Sequence, residues 1–452
     1  MNPKRRNFLR NSTQLVAGLG LSAVPGNTLF ADTAKQSKSP FSPNEMVNVA
    51  LIGCRSMGWT NLTSFLTHEN VRCTALCDVD RKILNERAGE LEKNTGIKPS
   101  LYSDYRKLLE NKDIDVVIIG TPDHWHCLQM VEACAAGKDV YVEKPIANSI
   151  EECNLMVAAK NRYGSIVQVG QWQRSDPHWK SALEYLNSGK LGKIRSAKTW
   201  AYVNYGRSFP TKANQPVPEG VDYDMWLGPA PKRPFNPNRF HGNFRYFWDY
   251  GGGLMTDWGV HMIDMVLSGM EVSTPGLVSA VGGKYGNPQS AAETPDTLNA
   301  VYDFGEFSML WEQSLGTGRE PYNRQSGEPG VAFVGNNGTL VINRNTWEIY
   351  PEVNEDKYMV DPIPIQRKPG AWSYGLDHHT RNFLDCIKNR QQPNCTIEMG
   401  RNAAINAQIG NISYRLGTAL KWVDHKNQFI DNPKANEMAK AIYRAPWNLP
   451  SV

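Results

Sequence analysis

From Val47 to Gln168 the chain alternates short apolar runs with stretches of helical spacing. The run over 47–53 turns directly into Gly53-Cys54-Arg55-Ser56-Met57-Gly58 and then into a helical pattern. Further strands are expected over 71–77, over 116–119 and over 139–142. The unbroken apolar run Val116-Val117-Ile118-Ile119 suits a strand covered on both faces, as in a parallel sheet. Strands alternating with helices predict a doubly wound parallel sheet, whose ligands lie beyond the carboxyl ends of its strands.

After Gln168 the pattern changes. Helical spacing marks 178–188, a strand is expected over 193–203, and 204–244 forms a long loop rich in Pro, Asn and Gly. Loops of that length usually carry function or move. Pro and Gly then punctuate strands over 278–282, 296–304, 307–313, 330–335 and 338–342, followed by helices over 378–388 and 396–415. The second half therefore reads as a sheet with a helical layer.

With 452 residues, and roughly 100–200 per domain, two or three domains are expected. The divisions fall at 1–31 (a leader), 32–45 (a linker), 46–167 (a nucleotide domain) and 168–452 (a substrate-binding and oligomerisation domain). The leader opens on Lys4-Arg5-Arg6-Asn7-Phe8-Leu9-Arg10 and continues into a short, small-residue apolar stretch over 15–24, too short for a membrane span. It resembles twin-arginine (Tat) signals, which implies the Tat export machinery as a partner and a periplasmic address. Cleavage is expected near Ala31, although Leu29 departs from a small-x-small site. Removing the leader takes the net charge from +4 to 0, so basicity gives no argument for nucleic acid. Six of the eight cysteines fall in the nucleotide domain without Cys-x-x-Cys or Cys/His spacing. Buried thiols, no metal site and folding in a reducing compartment before export fit that pattern.

The glycine turn between strand and helix matches a dinucleotide-binding entry, in which pyrophosphate rests on backbone N–H groups at a helix N-terminus. Arg55 replaces the second glycine of that pattern. The next strand ends at Asp78, twenty residues beyond Gly58, where an acid accepts ribose hydroxyls and repels a 2′-phosphate. NAD is favoured over NADP, with Arg81 as the contrary sign. Thr121-Pro122-Asp123-His124-Trp125-His126 and Glu143-Lys144-Pro145 follow strand ends. Expected cofactor contacts are Gly53, Arg55, Ser56, Met57, Gly58, Asp78, Thr121, Pro122, His126, Glu143 and Lys144.

Downstream, Gly251-Gly252-Gly253 leads to Asp257 and His261, four residues apart and on one face of a helix. Such a pair either orients an imidazole for proton transfer or staples a buried helix.

Taken together, the glycine turn, Thr121-Pro122 with His126, Glu143-Lys144-Pro145 and Asp257-x-x-x-His261 resemble the glucose-fructose oxidoreductase, inositol dehydrogenase and rhizopine catabolism family (Gfo/Idh/MocA) over most of the chain from Val47. The resemblance implies an N-terminal Rossmann domain holding NAD(P) and a C-terminal α/β domain with an open, mainly antiparallel sheet used in homo-oligomers, as dimer or tetramer. By the same resemblance the catalytic group maps onto Lys144, Asp257 and His261. Hydride transfer between a ring hydroxyl and nicotinamide needs a base at the oxygen and a cation beside it, so His261 is expected as base, Asp257 as its orienter and Lys144 as the cation. The motif alone leaves those roles exchangeable.

Phrases such as those over 121–126, 163–168 and 247–261 look like an exported subgroup linked to carbohydrate breakdown. Tyr202, Tyr205, Trp226, Tyr246, Trp248 and Trp258 surround the Asp/His helix in sequence, and such aromatics suit sugar C–H faces as well as core packing. Arg174, Tyr205, Tyr246 and Trp248 are the expected substrate contacts; Arg174, Arg245 and Lys180 suit a carboxylate if the sugar is a uronate. His124 and His126 are expected as loop hydrogen-bonders, and His378 and His379 as capping or surface residues. The leading expectation is an NAD-dependent sugar, sugar-acid or cyclitol dehydrogenase. A glycosidase or lyase that oxidises a ring transiently, and a non-catalytic sugar sensor, are the alternatives.

Overall fold

The computed structural model describes residues 45–205, 209–318, 328–371 and 373–452. The leader and all of the linker but Glu45 lie outside the described residues.

The first half is built from β1 (Val47–Ile52), α1 (Ser56–Phe65), β2 (Val71–Cys77), α2 (Arg81–Thr95), β3 (Ser100–Tyr102), α3 (Tyr105–Leu109), β4 (Val116–Ile119), α4 (Asp123–Ala135), β5 (Asp139–Val142), α5 (Ile150–Tyr163) and β6 (Val167–Val169). Its six strands are parallel in the order β3-β2-β1-β4-β5-β6. β1, β4 and β5 are almost wholly buried, which explains why their sequences show apolar runs rather than alternation. The order of strand addition reverses between β1 and β4, whose last residues Ile52 and Ile119 pair, so the loops after both open into one crevice. Local signals set the helices: Ser149 Oγ accepts from the Glu152 N–H while donating to its carboxylate, and Gly164 ends α5 with φ +67°.

The second half comprises α6 (Pro177–Asn187), β7 (Ile194–Val203), α7 (Tyr223–Leu227), α8 (Val260–Met270), β8 (Leu277–Gly283), β9 (Thr297–Asp303), β10 (Ser308–Leu315), β11 (Gly330–Gly335), β12 (Gly338–Asn343), β13 (Thr346–Pro351), β14 (Val353–Asn354), β15 (Lys357–Tyr358), β16 (Ile363–Arg367), α9 (Tyr374–Asn389), α10 (Ile397–Leu416), β17 (Leu420–Val423), β18 (Gln428–Ile430) and α11 (Pro433–Met438). Ten strands form one mixed sheet, ordered β16-β13-β12-β11-β7-β10-β9-β8-β17-β18. Only β7 and β10 run parallel within it. β9 alternates buried and exposed residues, so one face meets the helical layer and the other remains open, with Val281 and Val301 exposed on neighbouring strands. β13 and β16 to β18 escaped the sequence reading because they are short or irregular.

Two features depart from the sequence reading. The long loop carries its own apolar cluster of Phe209, Tyr223, Trp226, Phe235, Phe240, Phe244 and Tyr246, with α7 inside it. Trp226 and Tyr246 thus spend much of their ring surface on packing. The helix expected over 378–388 begins at Tyr374 and packs Phe383, Leu384 and Ile387 into the nucleotide-domain core. His379 is consequently not a surface cap: it is fully buried, its ring nitrogens bonded to Ser175 Oγ and the Val169 carbonyl. All eight cysteines are buried and free.

Candidate active site

One cleft runs along the crevice at the β1/β4 switch. It is lined by Gly53, Arg55, Ser56, Met57, Asp78, Thr121, Pro122, His126, Glu143 and Lys144. Gly58 stands behind it, where a Cβ would lie 2.1 Å from the Gly53 carbonyl oxygen. Gly53 has φ +88°, and a Cβ there would come within 2.7 Å of the Gly120 backbone. These glycines bring two loops and the start of α1 into direct backbone contact. No side chain caps α1, whose first residue follows the extended Arg55, so its leading N–H groups face the cleft mouth. That backbone cradle fits a dinucleotide pyrophosphate.

Asp78 ties the cradle together by accepting hydrogen bonds from the N–H groups of Cys54 at 2.7 Å and Asp80 at 2.9 Å. Its carboxylate still borders the cleft, where it can also accept from a ribose diol. Arg81 is exposed and does not line this cleft. Residues of the long loop close the far side: the Arg81 N–H donates to Gly220 O, Asp222 N–H donates to Val79 O, and His241 lies 3.4 Å from Asp80 and from Arg55.

At the inner end, β5 delivers Glu143 and Lys144. Glu143 is buried, accepts from Asn61 Nδ2 at 2.9 Å, and burial pushes its pKa up. Lys144 Nζ donates to Asp257 Oδ1 at 2.8 Å and to the Asp257 carbonyl at 3.0 Å. Arg245 Nε donates to the same carboxylate oxygen at 3.1 Å. Burial opposes charge on Asp257, yet Lys144 and Arg245 hold it well below the usual carboxylate range.

Asp257 and His261 do not form the expected mutual hydrogen bond. Met255–Gly259 is a π-turn leading into α8, and it aims Asp257 at Lys144 instead. His261 lies 7% exposed, and its Nδ1 is buried with no hydrogen-bond partner. Burial, with the Lys144 and Arg344 cations, pushes its pKa far down, so the ring is neutral. Asp257 is therefore the partner of two cations rather than the orienter of the imidazole. Lys144, Asp257 and His261 nevertheless share one pocket with Met57, Tyr205, Trp258 and Arg344, contiguous with the cofactor cleft through Met57, Glu143, Lys144 and Arg245.

The expected substrate contacts separate. Tyr205 borders this pocket, its hydroxyl accepting a hydrogen bond from Trp258 Nε1, and Tyr246 lines the adjoining vestibule with Asp257. Arg174 does not reach it: the guanidinium makes three hydrogen bonds of 2.8–3.0 Å to the fully buried Asp264, a pair that fixes α8 from behind. Trp248 lines a separate cavity, under Arg415. Lys180 is exposed on α6, away from the pocket. His124 and His126 are buried and bonded to backbone carbonyls, as loop fasteners. Among the described residues no group of His, Cys, Asp and Glu is placed to hold a metal ion.

Sequence reading also missed residues. Asp123, Arg344 and Trp172 face these clefts; Arg245, expected only as a partner for a substrate carboxylate, is instead engaged with Asp257. Asp123 was within a quoted motif; Arg344, at a hairpin tip far along the chain, had no local signal.

Two family profiles match this architecture. "Oxidoreductase family, NAD-binding Rossmann fold" covers residues 47–171, and "Oxidoreductase family, C-terminal alpha/beta domain" covers 192–276 and 363–449. The chain belongs to the Gfo/Idh/MocA oxidoreductase family. Its first half is thus an NAD-binding Rossmann domain. Among curated relatives, a glycosyl hydrolase family 109 protein from Shewanella baltica is 31% identical over 172 residues, 36% of this chain and 38% of the relative. The match spans well under half the length of that relative. Solved structures of similar fold include an aldose-aldose oxidoreductase from Caulobacter crescentus complexed with glycerol (TM-score 0.63, 18% identity, 84% of this chain, 100% of the other). A levoglucosan dehydrogenase complexed with NADH and levoglucosan superposes comparably (TM-score 0.63, 18% identity, 86% of this chain, 100% of the other).

Proposed function

We propose that this protein transfers hydride between a ring hydroxyl of a sugar, sugar acid or cyclitol and a nicotinamide bound in the β1/β4 cleft. The observation that carries this reading is the Lys144–Asp257 contact of 2.8 Å, which joins the end of the nucleotide sheet to the π-turn beside a neutral imidazole. The cradle at Gly53, Gly58 and the α1 N-terminus holds the dinucleotide, and Asp78 favours NAD over NADP. When bound, the nicotinamide takes up or returns the hydride. Lys144, held in place by Asp257, stabilises negative charge developing on the reacting oxygen. His261, uncharged and lining the pocket, accepts the hydroxyl proton. Arg245 keeps Asp257 ionised and fixes its direction. The pocket walls of Trp172 and Trp258 exclude water from the reacting face.

A second reading has the same first step. The oxidised ring acidifies its neighbouring C–H, a substituent is eliminated, and the hydride returns, so the outcome is bond cleavage without net redox. Similarity to the glycosyl hydrolase relative favours it. Export to the periplasm, proposed from the twin-arginine leader, would also favour a cofactor retained and recycled in place. A homo-oligomer built on the open sheet face belongs to the same proposal.

The test is to purify the protein folded in the cytosol, load it with NAD, and supply neutral sugars, uronates, cyclitols and oligosaccharides. Stoichiometric reduced nicotinamide supports a dehydrogenase. Product without net reduction supports internal recycling. Ligand binding with neither overturns both readings in favour of a sensor.

A further inference from the structure

The β12–β13 hairpin carries Arg344 at its two-residue turn, and the turn is rigid: Asn343 Oδ1 accepts from the N–H groups of Asn345 at 2.8 Å and Thr346 at 2.9 Å. Its guanidinium lies over two indoles, 4.7 Å from the Trp172 centroid and 4.4 Å from that of Trp258. Cation–π contact of this kind holds a planar guanidinium in one orientation. Its hydrogen-bond acceptor is Gln173 Oε1, which takes Nε and Nη2 at 3.4 and 3.2 Å, leaving Nη1 without a protein acceptor among the described residues.

The neighbouring cations are neutralised differently. Lys368 pairs with Asp176 at 2.7 Å, Arg174 pairs with Asp264, and Lys144 and Arg245 share Asp257. Arg344 has no carboxylate within salt-bridge distance among the described residues. Burial pushes its pKa down to about 10, opposed by Glu328 and Asp257, which act on it from beyond salt-bridge distance. It nevertheless stays charged at neutral pH, facing the pocket that contains Lys144, Asp257 and His261.

We infer that Arg344 is the specificity determinant of this pocket and that the substrate carries a carboxylate, as in a uronate or uronate-ended saccharide, whose anion pairs with its free edge. A planar carboxylate presents two oxygens to the guanidinium, while the Trp172 and Trp258 rings flank the sugar and exclude water from the ion pair. The hydroxyl to be oxidised then lies toward Lys144 and His261. The inference rests on the redox reading above, since it assigns the substrate class of the same site.

The experiment compares NAD-loaded wild type, Arg344→Gln and Arg344→Lys on matched pairs: D-glucuronate against D-glucose and D-galacturonate against D-galactose, with their short uronate-ended and neutral oligosaccharides. Initial rates and product analysis are read together, and thermal melting confirms that each variant is folded. Wild type is expected to prefer the acid by about 10- to 100-fold in kcat/KM, the span of one charge-assisted hydrogen-bonded pair. Arg344→Gln is expected to erase that preference, with KM for the acid rising at least about tenfold relative to KM for its neutral partner. Arg344→Lys, which retains the charge without the fork, falls between them and serves alone if the Gln variant does not fold. Turnover of neutral sugars without preference for the acid, or a preference that survives in Arg344→Gln, overturns the carboxylate assignment and leaves the redox reading standing. Failure of every compound to be converted in NAD-loaded wild type overturns both.

Discussion

The nucleotide half of the cleft is made of backbone, whereas the substrate half is made of side chains. Around Gly53, Gly58 and Gly120 the decisive property is a missing Cβ, and closely spaced loops arise from one strand order. Around Asp257 the decisive property is charge: Lys144 comes from β5, Arg245 from the long loop, His261 from α8 and Arg344 from a hairpin. A backbone site tolerates changes in chemistry but not in volume, and a charge cluster has the opposite sensitivity.

The severest way to break that contrast is to add volume where the backbone touches itself. Gly58→Val places a branched side chain against the Gly53 carbonyl, where even a Cβ would come to 2.1 Å, so loss of NAD binding and of much of the folded protein is expected. Calorimetric titration with NAD and a melting curve check it. On the other side, His261→Ala removes a proton acceptor without adding volume. It is expected to lower kcat by about 10²–10⁴-fold while NAD affinity stays near wild type, measured by steady-state rates and the same titration.

Arg174 sharpens the comparison because it looks like substrate machinery in sequence and is structural scaffolding in the fold. Arg174→Met leaves Asp264 buried without its cation, so a loss of about 3–5 kcal/mol in unfolding free energy is expected. Substrate KM in the folded fraction should remain unchanged; denaturant melts and kinetics read the two quantities separately.

A smaller effect belongs to Asp123, between the two halves. Burial raises its carboxyl from 3.8 to about 7 in the folded state. Below the ordinary value both states are protonated. As pH rises toward 7 the unfolded chain ionises first, so wild type loses stability relative to Asp123→Asn across that window and runs parallel to it above. Paired melts at stepped pH from 4 to 8 test the slope; a wild type that gains on the variant with rising pH contradicts it.

How much was legible follows the same division. The parallel sheet announced itself through buried runs such as Val116–Ile119, and the glycine turn through spacing, because both are local. The strands of the second sheet were outlined by Pro and Gly punctuation, with its short edge strands missed. Lys144 and Asp257 carried motif signals, but their direct contact did not: a π-turn is invisible to an i, i+4 count. Arg174 and Arg344 were misplaced or missed for one reason. Whether an arginine serves the core or the cleft depends on which carboxylate the fold brings to it, and Asp264 lies ninety residues beyond Arg174.

The contact between Lys144 and Asp257 is where the two halves meet, and it is most directly tested by a single-turnover measurement. Wild type and Lys144→Met are first brought to equal NAD occupancy, then mixed with a substrate that wild type converts, and reduction of the bound nicotinamide is followed by absorbance. The account predicts equal loading and a reduction rate at least about 10²-fold slower in the variant. Equal loading with a wild-type reduction rate would contradict it.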